Sequence, residues 1–244
     1  MAERNAVAVE ARAVVKDFPG GNGPTRVLHG VDLSVEAGKL TLLVGPSGCG
    51  KTTLLSIMTG ILSPTGGHVD VMGERITSLR GRRAALFRRE RLGFIFQQYN
   101  LLPALSAAEN AAVPLVAAGV PLEQAAKRAL ATLERIGMAE HAHKLPNQLS
   151  GGQMQRVAIA RALVHAPDVI VCDEPTAALD EQTGQTVMQI LREIASDPRH
   201  AVLVVTHDNR VYHFADRIVT MNDGRVTGEM TPPVREEVAH APAV

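Results

Sequence analysis

The residues best suited to chemistry in this chain are GPSGCGKTT, Gly45 to Thr53. Glycine, four residues, then glycine, lysine and a hydroxyl residue is the spacing of a loop whose backbone amides curl around a polyphosphate. In that reading Gly45, Pro46, Ser47, Gly48, Cys49 and Gly50 form the cradle. Lys51 reaches the β- and γ-phosphates, and the Thr52 hydroxyl is a ligand for Mg²⁺. A glycine turn of no function is the bland alternative. A second carboxylate-bearing stretch, VIVCDEP, places Asp173 and Glu174 at the end of an apolar run. Open α/β sheets present their ligands at such strand ends, and phosphate hydrolysis needs a carboxylate on the metal side and another beside the attacking water. Alone, an Asp-Glu pair is as readily a helix cap or a solvated turn.

A third stretch raises a different question. LSGGQMQRVAIARAL, Leu149 to Leu163, is glycine-rich and runs straight into a helical pattern, yet it carries no lysine. Exposed amides at a helix start favour anions. One chain with two phosphate cradles needs either two nucleotides or one nucleotide shared between two chains. The bland alternative is that Ser150 merely caps the helix.

The elements that must hold these residues follow from pattern. LTLLVG (Leu40 to Gly45), VIVC (Val169 to Cys172) and AVLVVT (Ala201 to Thr206) are short continuous apolar runs, as expected of strands buried on both faces of a mostly parallel sheet. KTTLLSIMTGIL continues from the first as a helix, giving strand, loop, helix. The segment up to about Val35, with GVDLSV alternating apolar and polar, is expected to form antiparallel strands. Residues from about 93 to 164, including LEQAAKRALATLERIGM, have helical spacing and are expected to form an insertion. The tail TPPVREEVAHAPAV, residues 231–244, is expected to be disordered. The fold class is therefore α/β, with a mostly parallel sheet, an N-terminal antiparallel part and a helical insertion in a single domain over residues 1–230.

Bulk properties narrow the function. The chain has 244 residues, ample for one core, and a formal net charge of zero gives no case for nucleic acid as a partner. No window approaches the ~18–20 apolar residues of a membrane-spanning helix, and AAVPLVAAGVPL is interrupted by Pro114 and Pro121. The first residues, MAERNAVAVEARAVVKDF, contain acids and no apolar leader core, so a soluble cytoplasmic chain is expected. Cys49 and Cys172, the two cysteines, lack metal-ligand spacing and read as reduced thiols. RGRRAALFRRERLG, Arg80 to Gly93, is either a basic flank for an anionic membrane surface or a solvated helix with Leu86 and Phe87 packed inward.

The succession GPSGCGKTT, Gln97 in GFIFQQYNLLP, LSGGQ, VIVCDEP, AALD at Ala177 to Asp180, and His207 in VVTHD resembles the ATP-binding cassette (ABC) ATPases of membrane transporters, from about Val7 to Gly228. In that family two cassettes pack head to tail, and the LSGGQ of one closes over the nucleotide in the glycine loop of the other. The resemblance implies an ATPase using ATP and Mg²⁺ in a homodimer. It implies that Ser150, Gly151, Gly152 and Gln153 belong to a partner's ATP site, and that Asp180 works across the interface. Glu174 matches the residue that polarises water, Asp173 the Mg²⁺ partner, and His207 the residue that contacts the γ-phosphate. Thr53 matches the α-phosphate contact, and Gln97 the loop glutamine that reaches Mg²⁺ and the water. Phe18 is the candidate for stacking on adenine, where tyrosine is commoner, with a plain core phenylalanine as its alternative.

Within the family, VLHGVDL, the GFIFQQYNLLP loop and ARAL are most similar to the macrolide-exporter and lipoprotein-release group. Membrane permease subunits are then the implied partners, with a periplasmic adaptor as a further candidate, and the chain would sit peripherally at the cytoplasmic face of the inner membrane. The alternative function is a soluble ATP-gated clamp unattached to a transporter.

Overall fold

The computed structural model describes residues 7–21 and 23–232. Most of the expected tail, residues 233–244, lies outside the described residues.

Strands β1 (Val7–Phe18) and β2 (Thr25–Glu36) form the expected antiparallel hairpin. With β4 (Gly66–Val71) and β5 (Glu74–Arg75) they make a sheet of order β2-β1-β4-β5. The alternation in GVDLSV does what a period of two requires: Val31, Leu33 and Val35 are buried, whereas Asp32 faces out. The second sheet has the order β10-β9-β3-β8-β7-β6. Its strands are β3 (Leu40–Val44), β6 (Leu92–Ile95), β7 (Val169–Asp173), β8 (Ala201–Thr206), β9 (Arg217–Asn222) and β10 (Arg225–Met230). Strands β9, β3, β8, β7 and β6 run parallel, and β10 closes one edge antiparallel to β9.

Both faces of this sheet are covered, as the unbroken apolar runs require. Leu43, Val171 and Leu203 point into a core shared with the first sheet and helix α1 (Lys51–Met58). Leu42, Ile170 and Val204 point the other way, onto α5 (Gly151–Leu163) and α6 (Glu181–Ala195). Cys172 is fully buried in that second layer, and burial pushes its thiol pKa up, which leaves it inert. A third apolar cluster joins α3 (Ala107–Ala117), α4 (Leu122–Arg135) and one face of α5. Helix α5 therefore belongs to both the sheet layer and the helical lobe. Among the described residues no helix is long and apolar enough to cross a membrane.

Two element boundaries differ from the sequence reading. The helical stretch expected from Gly93 begins later, because residues 92–95 are β6, paired in parallel with β7. Gly93 needs to be glycine there: a Cβ would lie 2.5 Å from the Ala162 carbonyl oxygen on α5. The helix expected to continue to Leu62 ends at Met58, since Gly60 turns at φ 65° and the Ile61 and Leu62 amides fold back to the Ser56 carbonyl. Helix α2 (Gly81–Arg91) has Phe87 buried and Leu86 half-buried, with Arg82 and Arg83 exposed. Its arginines are partly spent within the chain: Arg88 donates to the Gly60 carbonyl, Arg89 pairs with Glu90 and Arg91 with Asp168.

Candidate functional site

The glycine loop lies between β3 and α1, in the middle of the sheet. Gly45 is fixed by crowding, since a Cβ would sit 2.0 Å from the Met221 carbonyl oxygen. Gly48 and Gly50 adopt φ of 80° and 99°, a region that side chains disfavour. Pro46, Ser47 and Gly48 are exposed, while Cys49 and Gly50 are buried.

Lys51 is only 6% exposed. Its ammonium donates to the Gly45 and Pro46 carbonyls, at 2.8 Å each, and lies 3.8 Å from Cys49 Sγ. No carboxylate pairs with it among the described residues. A buried cation held by carbonyl dipoles alone has room for an anion as its counter-charge. Helix α1 adds to this. Its N-cap, Gly50, is left-handed and supplies no side-chain hydrogen bond, whereas Ser106, Ser150 and Asp180 cap α3, α5 and α6 with theirs. The first-turn amides at Lys51, Thr52 and Thr53 are thus unspent, and a phosphate group fits them.

Asp173 ends β7, and Glu174 follows in a left-handed conformation, φ 48°, its amide bonded to the Val205 carbonyl at 2.9 Å. A positive φ in a residue other than glycine is strained backbone, of the kind that gathers at functional sites. His207, just past the end of β8, places Nδ1 2.9 Å from Glu174 Oε1. A carboxylate acceptor there assigns the proton to Nδ1. Burial pushes the Asp173 carboxyl above the usual carboxylate range, the Glu174 charge adds to the rise, and Lys51 opposes it. Gln97, Glu174, Thr176 and His207 line one cleft, and His207 lines an adjoining one with Gly45 and Pro46. Residues from four separate motifs thus line two clefts that have His207 in common.

Divalent metal is testable against the donors present. Among the described residues no three His, Cys, Asp or Glu side chains converge as a cage. Thr52, Gln97 and Asp173 are hard oxygen donors, suited to Mg²⁺ when phosphate oxygens complete the shell.

LSGGQ stands apart from these clefts. Ser150 is exposed and caps α5 in a reciprocal box: its hydroxyl accepts from the Gln153 amide at 3.3 Å, and Gln153 Oε1 accepts from the Ser150 amide at 2.9 Å. The hydrogen bonds of Ser150 stay in its own turn and that of the Gln153 side-chain amide goes to His141, so none of them reaches the Lys51 loop. The glycines are also required by packing. A Cβ on Gly152 would lie 2.1 Å from Thr183 Cγ2 on α6, and one on Gly151 would lie 2.9 Å from the Tyr99 hydroxyl.

Asp180 caps α6, accepting from the Thr183 amide at 3.0 Å and the Thr183 hydroxyl at 2.7 Å; these bonds hold its carboxyl below the usual range. Phe18 is not a core residue. It ends β1 opposite Thr25, 36% exposed, with the Lys16 ammonium 5.0 Å from its ring centroid. The same hairpin end reaches the phosphate loop, since a Cβ on Gly50 would lie 3.3 Å from the Val27 carbonyl oxygen.

Sequence reasoning passed over three residues that organise the surroundings. Arg161 on α5 donates to the Tyr99 and Asn100 carbonyls, fixing the loop that follows Gln97. His141 meets the Gln153 side chain at 2.9 Å. Thr183 joins the α5 and α6 starts. Arg161 lies within ARAL but is given no role there, His141 and Thr183 belong to no quoted motif, and each acts across a tertiary contact.

Comparison with known proteins agrees with this arrangement. Residues 28–177 match the family model described as ABC transporter. Over 229 residues, 94% of this chain, it is 44% identical to the macrolide export ATP-binding/permease protein MacB of Burkholderia pseudomallei. Over 222 residues it is 43% identical to the pyoverdine export ATP-binding/permease protein PvdT of Pseudomonas syringae pv. tomato. The chain spans about a third of the length of these curated relatives, covering 35% and 34% of them. Among solved structures, the ATP-binding cassette MJ0796, a dimer in a post-hydrolysis state bound to ADP and Pi, superposes with a TM-score of 0.82 at 39% identity; the match covers 91% of this chain and 98% of that one. CbiO1 of Clostridium perfringens, part of the ABC transporter complex cbiONQ, gives a TM-score of 0.82 at 30% identity, over 93% and 89% of the two chains. The chain belongs to the ABC transporter family, as one of its ATP-binding cassettes, the nucleotide-binding ATPase element of the family.

Proposed function

We propose that two copies of this chain close head to tail on two ATP molecules, and that hydrolysis drives export or extraction of a substrate by membrane permease subunits. The observation that carries the reading is the contrast within one chain: a buried Lys51 without an ion pair beside uncapped amides, and an LSGGQ turn whose serine is exposed and whose hydrogen bonds do not reach the Lys51 loop. A second copy can supply the missing half of each site. The MJ0796 cassette, dimeric with ADP and Pi, supports this arrangement by similarity.

In this reading the loop from Gly45 to Gly50, with Lys51 and Thr53, binds the triphosphate, and Phe18 stacks on the base. Thr52, Gln97 and Asp173 hold Mg²⁺, which neutralises charge on the phosphate oxygens when bound. Glu174 orients and polarises the attacking water, and His207 holds the Glu174 carboxylate while reaching the γ-phosphate. Ser150, Gly151, Gly152 and Gln153 present the α5 N-terminus to the partner's γ-phosphate, and Asp180 lies at the interface. Residues 1–230 act as one ABC ATPase domain, with the helical part inserted between β6 and β7. The MacB and PvdT names support permease partners, with a periplasmic adaptor as a further component. The chain then works peripherally at the cytoplasmic face of the inner membrane, with no nucleic-acid partner.

The test is Glu174→Gln. It should retain MgATP binding and accumulate ATP-bound dimers, while turnover falls by ~10²–10⁴-fold, the usual contribution of a positioned base. Turnover close to that of the parent would remove Glu174 from this role.

A further inference from the structure

Gln153 is held from two sides. Its Oε1 accepts from the Ser150 amide at 2.9 Å, which fixes the orientation of the side-chain amide. Its Nε2 therefore points at His141 Nε2, 2.9 Å away, on the short helical turn Ala139–His141 of the helical lobe. Nε2 of Gln153 can only donate, so His141 Nε2 is the acceptor of this bond, which assigns the ring tautomer with its proton on Nδ1. Nδ1 is buried with no hydrogen-bond partner. The contact with Gln153 is thus the ring's one polar hold, and a reversed Gln153 amide would set two N–H donors against each other at Ser150.

From this geometry we infer that His141 is a positioning residue for the shared ATP site: it locks Gln153 in the one orientation that completes the Ser150 capping box, and so sets how the α5 N-terminus meets the partner's nucleotide. The inference rests on the head-to-tail reading above. The chain of contacts is short. His141 holds Gln153, Gln153 holds the Ser150 amide, and the Ser150 hydroxyl in turn holds the Gln153 amide. Without the acceptor, the Gln153 side-chain amide keeps only its bond from Ser150, and the backbone N–H of Ser150 holds a less firmly placed partner. The effect falls on the turn offered to the other copy. The chain's own Lys51 loop shares no hydrogen bond with His141.

The experiment compares three substitutions in the full chain carrying Glu174→Gln, so that closed dimers persist. His141→Phe keeps the ring volume and removes the acceptor, His141→Gln keeps an acceptor oxygen, and Ser150→Arg obstructs the composite site directly. Two quantities are read: affinity of the dilute single chain for trinitrophenyl-ATP, and the MgATP concentration at half-maximal dimerisation by light scattering. His141→Phe should leave the single-chain affinity unchanged and raise the half-maximal MgATP concentration by about tenfold, the usual worth of one buried hydrogen bond with its orphaned partner. His141→Gln should restore parental dimerisation. A general folding defect would lower the single-chain affinity as well as raise the half-maximal MgATP concentration, and would not depend on the acceptor.

Parental dimerisation by His141→Phe, with Ser150→Arg unable to dimerise, overturns the role of His141 and leaves the shared site standing. Parental dimerisation by Ser150→Arg overturns the shared site itself. If His141→Phe does not fold, His141→Gln alone decides: dimerisation like the parent supports the positioning role, and its loss overturns it.

Discussion

The two glycine-rich helix starts, Gly50 to Thr53 on α1 and Ser150 to Gln153 on α5, solve the same backbone problem in opposite ways. On α1 the N-cap is a left-handed glycine without a side chain, and the first-turn amides are left for a ligand. On α5 serine and glutamine satisfy one another's backbone amides before any ligand arrives. The glycines differ too. Gly48 and Gly50 are needed for their positive φ, whereas Gly151 and Gly152 have ordinary backbones and are needed because Tyr99 and Thr183 leave no space. The first start is a binding site by itself. The second is a finished surface, which needs a site brought to it.

The largest effect that could break this comparison is at Lys51. Lys51→Ala removes a cation that hydrogen-bonds to the Gly45 and Pro46 carbonyls and forms no close ion pair, so the fold should stay close to intact, while the Asp173 carboxyl loses a charge that lowers its pKa. Nucleotide affinity should fall on the order of a hundredfold, since charge-assisted hydrogen bonds are worth about 1.5–3 kcal/mol each. Equilibrium dialysis with labelled ATP reads it. Parental affinity would mean that the amides of α1 suffice without the lysine.

Next in size is Gly152→Ala. The added methyl must displace Thr183 Cγ2 from 2.1 Å, and overpacking of this kind costs about 1–3 kcal/mol. Thr183→Ser removes that methyl and keeps the hydroxyl for Asp180, so the double variant should recover most of the loss in thermal or urea unfolding. An additive double variant would show that the Gly152 requirement has another origin.

These two starts also show where sequence reading ends. GPSGCGKTT carries its meaning in local spacing, since the strand, the turn and the helix are contiguous and β3 is buried on both faces. LSGGQ has a second meaning that lies elsewhere in the chain: Thr183, Tyr99 and His141 are separated from it in sequence and meet it only through the packing of α5. The same limit explains β6. LGFI is a four-residue strand that follows α2 directly, with no turn residue to mark the change, and only its pairing with β7 defines it. Ser150 is readable both as a cap and as an interface residue, Asp180 only as an interface residue. The structure supplies the caps, and a cap that spends only part of its residue leaves the interface role open to experiment.

Gly48→Ala should cost less than Gly152→Ala. No atom lies within 4 Å of the new methyl, so the penalty is the left-handed φ of 80° alone, about 1–2 kcal/mol for an L-residue. Asparagine tolerates that region better, so Gly48→Asn should be the more stable of the two, which thermal unfolding would show. Equal losses for Ala and Asn would mean that loop packing, and not φ, sets the requirement at Gly48.

The smallest expected change in stability, and the finest cut between the two starts, is at Ser150. Ser150→Ala removes the hydroxyl that accepts from the Gln153 amide and should cost about 1 kcal/mol, the ordinary value of a lost N-cap. Ser150→Asp replaces the acceptor with one that also suits the positive end of a helix, so stability should return to the parental level. Its charge, however, now stands where the partner's γ-phosphate must approach, and like charges repel. The aspartate variant should therefore melt like the parent, bind ATP as a single chain like the parent, and fail to form ATP-driven dimers. Should it dimerise as readily as the parent, α5 is capped for its own sake and meets no phosphate, and the contrast with α1 reduces to one of folding.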